Sequence, residues 1–475
     1  MSVDYRPGFE TQREELRDER LPVEGSLPAW LRGRYLQNGP GQFEADGEPL
    51  NHWFDSYAML RRVAFDDDGV RYANRFVESE DLAFERSGGG VRTPFPGTAP
   101  DRPVWTRLRQ ALTGVFPDNP VIGVARRDGE PMAVTESPWG LRFDPETLAT
   151  EERVDLTAGL DCDLTLGHLH RDPDGTVLNL GVSYGRETTY TLFRRDGGEA
   201  TPLATLQFDR APYIHSFAVT ERYAVVTVGG YGLDLSSLLV GSLTGTTFLD
   251  AFGPLEGPTR FVVLDRTDGE RVATVPADPF FVYHHANAYE DGDELVVDLV
   301  AFDDESAVTG LTLENLRSET PDLPAGDLVR YRLSLDGGDA ERRELRRGPL
   351  EFPTIHYRRR VGREYRYVYA AETHGGSSLP TDLVKVDLET GRARTWGEPG
   401  SHPGEPVFVP APDPDAEDDG VLLSVICDPP ADRSTLVCLD AATMTERARA
   451  PLPHRLPYGF HGQFYGPTDP GRSMI

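Results

Sequence analysis

Eleven histidines are the side chains of this sequence best suited to hold a metal ion or move a proton: His52, His168, His170, His215, His284, His285, His356, His374, His402, His454 and His461. Their placement has a rhythm. An apolar strand repeatedly runs into an aspartate-led turn, at Asp66, Asp144, Asp196, Asp265, Asp336, Asp387 and Asp440. Counted from the preceding turn aspartate, His168 lies 24 residues on, His215 and His284 19 each, and His461 21. Similar phase in different repeats means similar place in different units. If that place is an inner strand, four imidazoles converge on a shared axis. Two further repeats carry a carboxylate near the same phase, with Glu351 15 residues past Asp336 and Glu405 18 past Asp387.

Four neutral imidazoles without a thiolate or a directly bound carboxylate suit a borderline divalent metal: Fe(II), Cu(II), Zn(II) or Ni(II). Four ligands saturate a structural zinc, whereas an ion preferring six keeps up to two positions for small molecules. Nearby glutamates would then accept the far ring N–H and fix each tautomer. A single histidine is more often a surface or hydrogen-bonded structural residue, and that reading holds for His52, His356, His374, His402 and His454. Cys162, Cys427 and Cys438 have no CxxC spacing and make no zinc or redox motif.

The elements that must position these groups read as β-strands. ELVVDLVAF (294–302), RYAVVTVGGYGL (222–233) and GVLLSVICD (420–428) are rich in β-branched residues and bounded by turn residues. The 48 glycines and 39 prolines suit many short strands with tight turns. Residues 104–115, with Val104, Leu108, Leu112 and Val115 at helical spacing, are the best helix candidate. The turn aspartates are 78, 52, 69, 71, 51 and 53 residues apart, as seven antiparallel units of one β-propeller would place them.

Composition excludes several functions. The formal charge of −30 repels phosphate backbones and argues against nucleic-acid binding. No stretch approaches the ~18 apolar residues of a membrane helix, and the first twenty residues lack the apolar core of a secretory signal, so the expected compartment is the cytoplasm. Lys385 is the only lysine among 48 basic residues. A GC-rich genome explains that ratio, and a halophilic proteome explains both the ratio and the acidity.

Longer motifs resemble the carotenoid cleavage oxygenase family, which includes carotenoid-cleaving dioxygenases and the vertebrate retinoid isomerase. They are LRGRYLQNGPGQF (31–43), HWFDSYAML (52–60), AVTESPWGLRFDPETL (133–148), GHLHRDPDGTVLNLG (167–181), YIHSFAVT (213–220), FVYHHANAYED (281–291), LEFPTIHY (350–357), GEPVFVP (404–410), EDDGVLLSV (417–425) and GFHGQF (459–464). The resemblance implies an all-β fold, a seven-bladed propeller over residues 1–475 with a helical and loop cap over an axial metal site. It implies an N-terminal extension at 1–30 and cap insertions near 76–120 and 230–256. It implies Fe(II) held by His168, His215, His284 and His461, with His168 preferred over His170 and His284 over His285. Glu136, Glu351 and Glu405 would stand behind the ligands, Glu136 filling the repeat that lacks a group, and Ile122 would crowd the iron.

The implied reaction is cleavage of a carbon–carbon double bond in a lipophilic polyene by O2, giving aldehyde or ketone apocarotenoid products, retinal among the candidates. A long apolar tunnel would select the bond. Residues 234–253, with Asp234 and Asp250 as their only charges, are a candidate peripheral contact with the inner face of the cell membrane. Three rivals share the fold. A stilbene-cleaving dioxygenase relies on a lysine and a tyrosine, and Lys385 lies in a turn far from where that lysine is supplied. A retinoid-type isomerase shares HHANAYED and GEPVFVP. A non-enzymatic binding propeller would need no axial histidines.

Overall fold

The computed structural model describes residues 4–103, 105–106, 115–127, 129–241, 245–374 and 379–466. Seven antiparallel sheets of four to six strands form the blades of a propeller. Blade 2 shows the plan, with Gly123–Arg127 innermost, then Glu130–Val134, Trp139–Phe143 and the exposed outer strand Thr150–Asp155. Blade 3 is built on Val177–Ser183, Thr188–Asp196 and Glu199–Phe208, with short inner segments at Leu164–Thr165 and His170–Arg171. Blade 4 joins Ala218–Val219, Tyr223–Val228, Thr259–Asp265 and Arg271–Ala277. Blade 5 joins Phe281–Asp291, Glu294–Phe302, Asp327–Ser334 and Glu341–Arg346. Blade 6 joins Leu350–Thr354, Tyr367–Glu372, Asp382–Asp387 and Ala393–Gly397. Blade 7 runs from His402–Pro403 and Val407–Pro410 through Gly420–Asp428 and Arg433–Asp440 to Glu446–Pro451.

Blade 1 closes the ring with both ends of the chain. Its inner strand, Gly462–Tyr465, pairs with Gly33–Gln37, which pairs with Tyr57–Asp66, and Gly69–Phe76 follows. The segment read as an N-terminal extension is woven into two blades. Leu16–Leu21 adds an outer strand to blade 1, and Glu24–Gly25 pairs with the outer strand of blade 7.

Middle strands are apolar on both faces because each is sandwiched between neighbouring blades, as in Tyr223–Val228, where all six residues are buried. The three strand motifs read from the sequence form strands. The second breaks at Gly229–Gly230, and Tyr231–Leu233 joins a separate small sheet with Phe252–Pro254. All seven turn aspartates lie at the hairpin between the third and outer strands of a blade. In Asp66, Asp144, Asp265 and Asp387 the carboxylate accepts the backbone N–H two residues on, which is why aspartate recurs there.

The cap is built from the connections between strands. Helix Glu80–Phe84 lies in the first expected insertion, and helices Leu235–Gly241 and Phe248–Ala251 lie in the second. A third insertion, between the second and third strands of blade 5, carries Ser306–Thr309 and Leu313–Leu316 and was not marked by the sequence. The helix expected over 104–115 lies largely outside the described residues. No helix among the described residues is long and apolar enough to cross a membrane.

Candidate metal centre

Four histidines meet where the inner strands of blades 1, 3, 4 and 5 reach the axis. His168 and His215 precede short inner strands, His284 lies within Phe281–Asp291, and His461 precedes Gly462–Tyr465. The His168 ring centroid is 4.5 Å from that of His215, 4.9 Å from His284 and 4.8 Å from His461, and His284 lies 4.9 Å from His461. Donor nitrogens of His168, His215 and His284 fall within 4.8 Å of one another. The Nε2 atoms of His168 and His215 are 3.0 Å apart.

Three carboxylates orient the rings. Glu136 Oε1 accepts from His215 Nδ1 at 2.5 Å, Glu351 Oε2 from His284 Nδ1 at 2.6 Å, and Glu405 Oε1 from His461 Nδ1 at 2.9 Å. With Nδ1 donating, each neutral ring presents the lone pair of Nε2 to the axis. His284 Nε2 is buried and has no hydrogen-bond partner. Burial, and then the neighbouring His215, His461 and His284, hold His168 well below the usual imidazole range. Burial also lowers His284, against the opposing pull of Glu351. Neutral, convergent imidazoles with an orphaned inward nitrogen are the donor set a divalent metal requires.

The adjacent histidines are engaged elsewhere. His170 bonds the Phe217 carbonyl through Nε2 and the Tyr357 hydroxyl through Nδ1. His285 sits between Ser216 Oγ and Thr227 Oγ1, both at 2.8 Å. In the strand Phe281–Asp291, successive side chains point to opposite faces, so His284 faces the axis and His285 the blade interior.

The seven-repeat reading needs one correction. Glu351 and Glu405 lie on or beside the inner segments of blades 6 and 7, as their phase implied, but Glu136 lies in the turn after Glu130–Val134, between the second and third strands of blade 2. The inner position of blade 2 is taken by Ile122, whose carbonyl accepts the His461 N–H at 3.1 Å. Glu136 reaches His215 from the neighbouring blade, which a count along the chain does not reveal.

Two apolar cavities flank the histidines on the cap side. One of about 620 Å3 is lined by Phe95, Phe116, Tyr213, Leu235 and Phe248 and reaches His215 and Glu136. The other, of about 160 Å3, lies against His215, His284 and His461 and is walled by Trp53, Tyr283 and Leu311. Phe54, Ile122 and His215 line both. Sequence reasoning missed Phe54, although HWFDSYAML contained it, and missed Tyr213, whose hydroxyl donates to Glu136 Oε1 at 2.9 Å. It also missed Phe352, a non-glycine residue at φ 57° whose ring lies 5.4 Å from that of His461 and whose N–H bonds Glu351.

Of the apolar residues picked out in 234–253, Leu235, Leu238 and Phe248 line the larger cavity, and Phe252 is buried in the adjoining core. Leu243 and the side chains of Leu239 and Val240 lie outside the described residues.

Comparison with known proteins agrees with this geometry. The carotenoid-cleaving dioxygenase of Mustela putorius furo is 30% identical over 93% of each chain. The carotenoid isomerooxygenase of Galleria mellonella is 32% identical over 93% of this chain and 92% of its own. A single-residue variant of the Synechocystis apocarotenoid oxygenase superposes with a TM-score of 0.86 at 28% identity, covering 98% of both chains. The profile of the retinal pigment epithelial membrane protein family matches residues 9–466, and the chain belongs to that family, the carotenoid oxygenases it resembles in sequence.

Proposed function

We propose that this chain is a non-haem iron(II) dioxygenase that splits a carbon–carbon double bond of a carotenoid or apocarotenoid with O2. Each half of the polyene leaves as an aldehyde or ketone, and one oxygen atom goes to each. The observation that carries this reading is that three of the four convergent imidazoles, His215, His284 and His461, line two apolar chambers that share Phe54, Ile122 and His215. Carotenoid oxygenase relatives along nearly the whole chain support it.

His168, His215, His284 and His461 would hold the iron. When bound, iron(II) supplies the site for O2 and the electrons that activate it. The protein does the rest by positioning. Glu136, Glu351 and Glu405 keep Nδ1 protonated in three ligands, so each Nε2 stays a donor to the metal. Tyr213 shares Glu136 with His215 and packs edge-to-face with Phe248 and Phe252, joining the ligand to the chamber wall. Ile122 and Phe54 narrow the passage between chambers, so the polyene's depth decides which bond reaches the axis. No side chain need act as acid or base. The lipid-soluble substrate would enter through the mouth lined by Leu235, Leu238 and Phe248, with 234–253 as a peripheral membrane contact and the chain working as one propeller unit.

Neither chamber is lined by a lysine, and Lys385 is held by Asp418 at 2.5 Å with Tyr367 packed on its ammonium in blade 6. This disfavours a stilbene-cleaving role. The test is incubation of iron-loaded protein with β-carotene, apocarotenals and resveratrol under 18O2, read by mass spectrometry. Labelled carbonyl products from the polyenes are expected. Cleavage of resveratrol alone, or an isomerised product without label, overturns the proposal.

A further inference from the structure

Arg61 is a cation whose neighbourhood lacks an anion. Its side chain is 2% exposed, inside blade 1 where that blade meets blade 7. The guanidinium donates to Gln37 Oε1 at 3.2 Å and to the Pro40 carbonyl at 2.9 Å, both neutral acceptors. Its Nε–H is buried and unpartnered. Among the described residues no carboxylate lies within ion-pair distance of it, and the ionisable groups nearest it in effect are Tyr72, Tyr35 and Cys427. Glu405, beyond Tyr35, is already engaged by His461 Nδ1 and the Gly462 N–H. Burial lowers the Arg61 pKa to about 10, which leaves it charged at neutral pH.

Two other buried cations are matched by carboxylates. Arg62, the next residue, meets Asp18 and Glu146, and Lys385 meets Asp418. A buried charge without a partner is costly.

Beside Arg61 lies a small space of about 40 Å3, lined also by Gln37, His402, Cys427, Ser434 and Tyr458. That is room for a few water-sized occupants. His402 faces it as a second unsatisfied group. Its Nδ1 donates to the Pro380 carbonyl at 2.8 Å, so Nε2 of the neutral ring is an acceptor, and this atom is buried without a partner. Two residues with an unpaired polar atom, an N–H on a cation and a lone pair on a neutral ring, therefore line one small and otherwise largely apolar space.

We propose that this space binds a small monovalent anion of chloride size against Arg61, with one water donating both to the anion and to His402 Nε2. The anion accepts from the Arg61 Nε–H, and the hydroxyl of Ser434 and the thiol of Cys427 line the same wall. None of the four axial histidines lines this space, which shares Trp53, Phe352, Leu379 and Pro380 with the smaller chamber, and its test does not depend on the metal or on the reaction.

The direct experiment is bromide exchange in crystals of the unmodified protein, read by anomalous scattering. A bromide peak against Arg61 is expected. Water alone in that space, or bromide only at surface arginines, overturns the proposal. In solution, replacing gluconate by chloride at fixed ionic strength should raise the unfolding midpoint by about 1–2 °C per tenfold rise in chloride above its dissociation constant. Arg61→Gln should abolish that dependence. Should Arg61→Gln fail to fold, Gly459→Ala serves in its place, because a Cβ there would lie 2.5 Å from Arg61 Nη1 and displace the guanidinium. Equal midpoints in the two salts for the unmodified protein also overturn it.

Discussion

The outer rim and the axis of the propeller are both sampled once per blade, and they are used in opposite ways. At the rim every blade places an aspartate in the corresponding hairpin, and although the loops differ in length, the carboxylates of Asp66, Asp144, Asp265, Asp387 and Asp440 accept a backbone N–H of the turn. At the axis the corresponding positions differ: His461, Ile122, His168, His215, His284, Glu351 and Glu405 in blade order. The repeated residue belongs to the fold, and the varied residues make the centre. The cost of substitution should therefore differ in kind. Changes on the axis should remove metal and activity from a folded protein, and changes at the rim should cost stability alone.

The largest effect is expected at His284. His284→Ala should bring bound metal, measured by plasma mass spectrometry, to well below one equivalent and cut polyene cleavage by about 100-fold or more, since outer-sphere partners alone are worth 10–100-fold. Full metal occupancy and full activity would remove His284 from the centre. Glu351→Gln, which keeps shape but loses the charge on His284 Nδ1, should weaken metal affinity by about 10–100-fold with an unchanged circular dichroism spectrum.

His285→Ala sharpens the comparison by one residue. It leaves the Thr227 hydroxyl unpaired in the blade interior and removes one of the two bonds of Ser216, which keeps the Tyr283 carbonyl, and it should destabilise the fold by about 1–3 kcal/mol in denaturant titration, with metal content kept. Loss of metal without loss of stability would reverse the assignment of this pair.

Buried histidines away from the centre add to the pH dependence of stability, against an opposing contribution from Asp55, whose carboxyl is pushed up to about 6 by burial. Burial lowers His52 and His356 to about 4, so between pH 6.5 and 4 the unfolded chain takes up protons that the folded chain refuses. Stability should fall as pH drops through that window, by about 1.4 kcal/mol per pH unit for each such group. His52→Gln should make the fall shallower by one proton, and an unchanged slope would show that His52 does not contribute. Smallest is the rim. Asp440→Ala, which removes the acceptor for the Thr443 N–H and hydroxyl, should cost about 1 kcal/mol with no change in cleavage rate.

Much of this is legible in the sequence. The strands at 294–302 and 420–428 could be read from β-branched runs, and the turn aspartates marked every blade. Motif resemblance picked out the four histidines that converge. Glu136 was legible as a residue but not as a position, because its contact with His215 spans 79 residues and crosses from one blade to the next. The insertion carrying Ala307 and Leu311 was missed because its two helices are only four residues each, too short to show a helical period.

The sequence by itself determined the blade rhythm, the identity of the axial residues and their phase along each strand, since these depend on local propensity and spacing. Only the tertiary structure decided which face each imidazole takes, which nitrogen is left free, where the two chambers meet, and that Arg61 has no carboxylate beside it. Those facts rest on contacts such as His168 with His461 and Gly33–Gln37 with Gly462–Tyr465, which form when the first and last blades close the ring. Spacing along a chain gives a position on a strand, but the direction and company of a side chain are set by residues hundreds of positions away.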